Sequence, residues 1–98
     1  MIFCEVRPFQ NPSDSTVHPV FRGRQHVHLM SDDERELRLY ADSIGLRPGW
    51  LQRDAFGIPH YDVVGVRMLR VLTDVRVVKM ERREFVRNYR ALKTRALR

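Results

Sequence analysis

Two short segments of this chain carry side chains that can move protons or hold an ion, each at i, i+2 spacing. They are His26-Val27-His28 and the pair His60 and Asp62 within Gly57-Ile58-Pro59-His60-Tyr61-Asp62. Residues two apart on a strand share a face and lie about 6–7 Å apart along the backbone, so His26 and His28 can reach one ion. His60 and Asp62 could complete a four-ligand set of three nitrogens and one oxygen. Rings more than about 12 Å apart could not share an ion, because such bonds are near 2 Å. The spacing matches no established zinc motif, so the sequence by itself assigns no metal. Hydrogen-bonded, structural histidines on a covered or solvated face fit the same pattern.

Metal-free chemistry draws on the same residues. His28 or His60 can act as general acid or base near neutral pH, with Asp62 orienting an imidazole and Tyr61 donating to an oxyanion. A phosphate ester or nucleotide is the natural substrate class, with Arg67 as clamp. Paired histidine segments evoke the two-histidine phosphoesterases, but neither His28 nor His60 is followed two residues later by Ser or Thr. In the plainer reading Asp62 caps a helix and His60 packs in a loop. Trp50 could stack a base and Gln52 read its edge. More commonly a lone Trp beside Pro and Gly closes the edge of a small core. Arg22 and Arg24, around Gly23, could hold phosphate beside the histidine strand, although paired surface arginines are common on any protein.

Charge is distributed unevenly. Residues 1–78 balance ten Lys and Arg against ten Asp and Glu, whereas residues 79–98 carry eight against two, Glu81 and Glu84. The whole net charge of +6 therefore sits in the last fifth of the chain. There Arg83, Arg87 and Arg90 fall on one helical face at i, i+4, i+7, a stripe that could follow a nucleic-acid backbone in a salt-sensitive, sequence-tolerant way. An acidic partner or plain solvent would suit that face too.

The elements that must position these residues follow from periodicity. Ile2 to Val6 alternates as a first strand. Pro8 to Gly23 reads as a long loop, Gln25 to Met30 as a second strand with Val27 and Leu29 toward the core. Ser31-Asp32-Asp33-Glu34 is a capping box opening a helix from about Asp32 to Ile44, which Gly45 ends. Leu46 to Pro59 is irregular, with Trp50-Leu51-Gln52 as a short extended piece. Val64 to Leu72 is read as a helix capped by Asp62, Val75 to Met80 as a third strand, and Glu81 to Leu97 as a final basic helix. The expected fold class is α/β: one domain over residues 1–98, about three strands in a mixed sheet, packed with about three helices.

Ninety-eight residues allow one modest core near the lower limit of independent stability, so a homodimer is a reasonable expectation. The lone Cys4 excludes an internal disulfide and reads as a small core filler in a cytoplasmic protein. No apolar run has the length of a membrane span.

Taken in order, these pieces resemble a small bacterial and phage family catalogued only as a domain of unknown function, DUF 4031. The resemblance runs from Phe21 through Val86. It rests on His28-Leu29-Met30-Ser31-Asp32 leading into Glu36-Leu37, on Ile44-Gly45-Leu46 with Trp50-Leu51-Gln52, and on His60-Tyr61-Asp62-Val63 before a helix starting near Arg67. It implies that His28, Trp50, Gln52, His60, Tyr61, Asp62 and Arg67 form one constellation, and it implies no activity or cofactor. The family's first strand tends to end in paired acidic residues, where this chain has Cys4-Glu5-Val6, and His26 is not part of the family pattern. The leading expectation is a module binding a nucleotide or nucleic-acid phosphate through these residues and the basic helix. The alternatives are a phosphoesterase using His28 and His60, and a non-catalytic protein-interaction module.

Overall fold

The computed structural model describes residues 1–10 and 25–97. Strands β1 (Ile2–Glu5), β2 (Phe9–Gln10) and β3 (Gln25–Ser31) precede helix α1 (Glu34–Ser43). A 3-10 turn at Pro48–Trp50 leads to β4 (Gln52–Arg53) and β5 (Pro59–Val64), followed by α2 (Gly65–Thr73), β6 (Val77–Met80) and α3 (Arg82–Ala96). The sheet runs β4-β5-β3-β1-β6, with β2 also paired to β3. Among the described residues only β1 with β6 is parallel; the other pairs are antiparallel. The three strands expected from sequence are thus contiguous at β3-β1-β6 and form a mixed set. The α/β class and the three helices hold.

Alternation sends each strand's side chains to two different helical layers. Ile2, Cys4, Val27, Leu29, Tyr61, Val63 and Val77 meet Leu37, Tyr40 and Ala41 of α1 and Met68 and Val71 of α2. Phe3, Met30, Ile58 and Met80 form a smaller core on the other face, under Phe85, Tyr89 and Leu92 of α3. Cys4 is fully buried in the larger core, and burial pushes its thiol up to about 12, as befits an inert filler.

Three details differ from expectation. The residues from Pro59 to Val64 form a strand, so Asp62 does not cap a helix. Val64 takes the N-cap position of α2 with no side-chain hydrogen bond, and Gly65, at φ 63°, turns the corner from strand to helix. Helix α1 is capped by Asp33, whose carboxylate accepts from the backbone N–H of Arg35 and Glu36, while the Ser31 hydroxyl accepts from the N–H of Asp33. Phe9–Gln10 is strand where a loop was expected; the rest of that expected loop, with Arg22 and Arg24, lies outside the described residues.

Candidate functional site

Strands β3 and β5 bury Val27, Leu29, Tyr61 and Val63 on the α1–α2 side, so His26, His28, His60 and Asp62 must point to the α3 side. Their antiparallel register sets His28 directly opposite Asp62. On the other flank, β1 pairs Ile2 with Ser31 and Phe3 with Met30, and extending that register brings Glu5 beside His28. Three adjacent strands therefore line up Glu5, His28 and Asp62 in one row across the sheet. His60, two residues before Asp62, and His26, two before His28, stand on either side of that row.

His28 is the centre of the group. Its backbone N–H donates to Glu5 Oε1 at 2.8 Å, and its Nδ1–H donates to Glu5 Oε2 at 2.6 Å. Both oxygens of a buried carboxylate are thus committed to one histidine, fixing its ring and its tautomer. The other ring nitrogen, Nε2, lies 3.6 Å from Asp62 Oδ1, and His60 Nε2 lies 3.7 Å from the same oxygen. Neither distance is a hydrogen bond. Asp62 Oδ1 is buried and has no hydrogen-bond partner among the described residues. The His26 and His28 rings meet edge to face at 4.8 Å, and the His28 and His60 ring centres are 6.1 Å apart, well inside the limit for a shared ligand.

Electrostatics follow from this crowding. Burial pulls the His28 pKa down, but the hydrogen bond to Glu5 and the charges of Glu5 and Asp62 outweigh it, so the net shift is upward. Burial pushes Glu5 up, and the hydrogen bond and charge of His28 more than reverse it, holding the carboxylate ionised. Arg82, at the head of α3, lies close enough for its charge to oppose protonation of His28. Phe85, one turn on, sets its ring 6.1 Å from the imidazole. Helix α3 is anchored further along by Tyr89, whose hydroxyl donates to Asp54 and is pushed up to about 12 by burial and that bond.

The other expected site residues divide. Gln52 pairs with His60 in register and so stands at the outer edge of the same face. Tyr61 does not join the histidines: it is buried on the opposite face, where its neighbours are the larger core and a cleft of about 450 Å³ bordered by Glu34, Arg38 and Leu46. That concavity and the histidine chemistry lie on different sides of the sheet, and the convergent ionisable groups decide for the latter. Trp50 and Arg67 are also away from the histidines. The exposed Trp50 ring is flanked by the guanidinium carbons of Arg67 at 5.5 Å and Arg47 at 5.6 Å, a cation–π stack on the α2 side. Arg83, Arg87 and Arg90 are exposed along α3 and make no ion pair among the described residues.

Sequence reasoning passed over Glu5 as a site residue and set His26 aside. The signal for Glu5 was a carboxylate inside an otherwise apolar strand, where a buried charge requires a partner. His26 is almost wholly buried beside His28, and together with Asp62 the pair offers ligand atoms all within 4.8 Å of one another.

No curated protein and no solved structure matches the chain. Residues 13–92, which include both histidine segments and most of α3, match the family described as Protein of unknown function (DUF4031), and the chain belongs to that family.

Proposed function

We propose that this protein is a small nucleic-acid-binding module whose contact surface runs from the arginine face of α3 onto the sheet face bearing His28, His60 and Asp62. One observation carries the reading. The helix that holds most of the chain's excess of positive charge packs on the same side of the sheet as the histidine row, with Arg82 and Phe85 against His28. A phosphate backbone attracted by Arg83, Arg87 and Arg90 would therefore be carried toward the histidine row on that face. Tyr61, Trp50 and Arg67 have no part in this surface.

A second reading, phosphoester hydrolysis, is favoured by a specific feature, the carboxylate-fixed imidazole. Glu5 holds Nδ1–H of His28, and Nε2, which faces Asp62, would be the atom that exchanges a proton with a substrate oxygen, as in other carboxylate-oriented histidines. His60 would be its complement on the far side of Asp62.

Fluorescence anisotropy with a labelled DNA duplex tests the binding reading. The logarithm of affinity should fall linearly with the logarithm of salt concentration. Changing Arg83, Arg87 and Arg90 together to Glu should weaken binding at least about tenfold and flatten the slope by roughly two to three. Unchanged affinity in the triple variant, or no binding at low salt, would end the proposal.

A further inference from the structure

From the row of ligand atoms on the α3 side of the sheet, we infer that His26, His28 and Asp62 form a binding site for a divalent first-row transition ion, with His60 beside the shared aspartate oxygen. Four observations converge on it. The three ligand atoms lie within 4.8 Å of one another on two neighbouring strands. Asp62 Oδ1 is buried without a hydrogen bond among the described residues, which is costly for a carboxylate and is relieved by a cation. The His28 nitrogen at 3.6 Å from that oxygen, and the neighbouring His60 nitrogen at 3.7 Å, are too far to bond it. The His28–Asp62 separation is close to the edge of a tetrahedron with metal bonds near 2.1 Å, about 3.4 Å, and the wider 4.8 Å spread of the three atoms closes with a small movement of the side chains on binding. Finally, Glu5 holds the opposite nitrogen of His28, the carboxylate–histidine arrangement that orients metal-bound imidazoles.

Two imidazoles with one carboxylate select the class of ion. Nitrogen-rich sets of this kind suit zinc, iron(II), cobalt or nickel and do not suit magnesium or calcium, which take oxygen. The site also resolves a conflict within the phosphate reading, on which its consequence rests. Two carboxylates, Glu5 and Asp62, would repel a phosphate brought alongside them, whereas an ion between Asp62 and the histidines would accept a phosphate oxygen at an open position.

The test uses protein without a histidine tag, first cleared with chelator. Titration with cobalt(II) should give one equivalent of binding and visible bands of the strength expected for four- or five-coordinate nitrogen and oxygen ligation; zinc should displace it. Asp62→Asn, which keeps the shape of the side chain, and His28→Ala should each weaken binding at least about a hundredfold, and Glu5→Gln about ten- to a hundredfold. Circular dichroism of each variant shows that the fold is retained; Asp62→Asn alone suffices if His28→Ala unfolds. No stoichiometric binding, or equal binding by Asp62→Asn, overturns the site. Repeating DNA binding with chelator separates the two proposals. Ion binding without DNA binding removes the phosphate reading and leaves the site, and DNA binding by a protein that takes up no ion does the reverse.

Discussion

Glu5 and Asp62 flank one imidazole yet are held in opposite ways. Glu5 has both oxygens bonded to His28, through the backbone N–H and the ring. Asp62 has a buried oxygen with no hydrogen bond among the described residues. A charge-assisted hydrogen bond of this kind contributes about 1.5–3 kcal/mol, so Glu5→Gln should lower the stability of the metal-free protein by an amount in that range. Asp62→Asn should cost less, because no hydrogen bond to that oxygen is lost. Urea unfolding in the presence of chelator measures both; a larger loss for Asp62→Asn would show that its carboxylate is a structural group rather than a ligand waiting for an ion. The sequence made His28, His60 and Asp62 legible as chemistry-bearing residues because their types and i, i+2 spacing survive in any extended segment. It did not reveal that Tyr61 faces away, since which parity of a strand is buried depends on the helices that cover it.

Among the elements, the helices were legible and two strands, Phe9–Gln10 and Pro59–Val64, were not. The segment from Pro59 to Val64 alternates polar His60 and Asp62 with buried Tyr61 and Val63, which is a strand pattern. Gly57 and Pro59 masked it as loop, although proline is tolerated at the first residue of a strand. The start of α1 was displaced in a similar way: Ser31-Asp32-Asp33-Glu34 contains several possible caps, and Asp33 prevails while Glu34 is drawn to Arg38 and Arg53. A junction between elements supplies a pH prediction. Tyr40 of α1 donates to Asp74 in the turn before β6, and Arg76 binds the same carboxylate. The Arg76 hydrogen bonds, opposed by partial burial and aided by Tyr40, hold Asp74 far below the usual carboxylate range. Its folded pKa is depressed, so its contribution is complete above the ordinary value near 4 and is lost as pH falls toward the folded one. Asp74→Asn should therefore be less stable than the native protein at neutral pH, and the gap should close below about pH 4. A gap in urea midpoint that stays constant with pH would contradict this assignment.

At the scale of the whole molecule, a single sheet separates two kinds of surface. The α1–α2 side holds the larger core, and no helix among the described residues is long and apolar enough to cross a membrane. The α3 side holds a smaller core, the histidine row and the basic helix. The sequence showed the charge excess and the histidines as separate features; only the packing of α3 over β1 and β6 brings them onto one side. That adjacency is a long-range consequence of strand order, with β6 joining β1 in parallel, which local periodicity does not encode. It is also the central claim, and nuclear magnetic resonance reads it directly. As a short DNA duplex is titrated into labelled protein, the imidazole signals of His28 and His60 and the backbone amides from Arg82 to Arg90 should shift together along one binding curve. Shifts confined to α3, with both imidazoles unmoved at saturation, would show that the basic helix and the histidine row do not share a ligand.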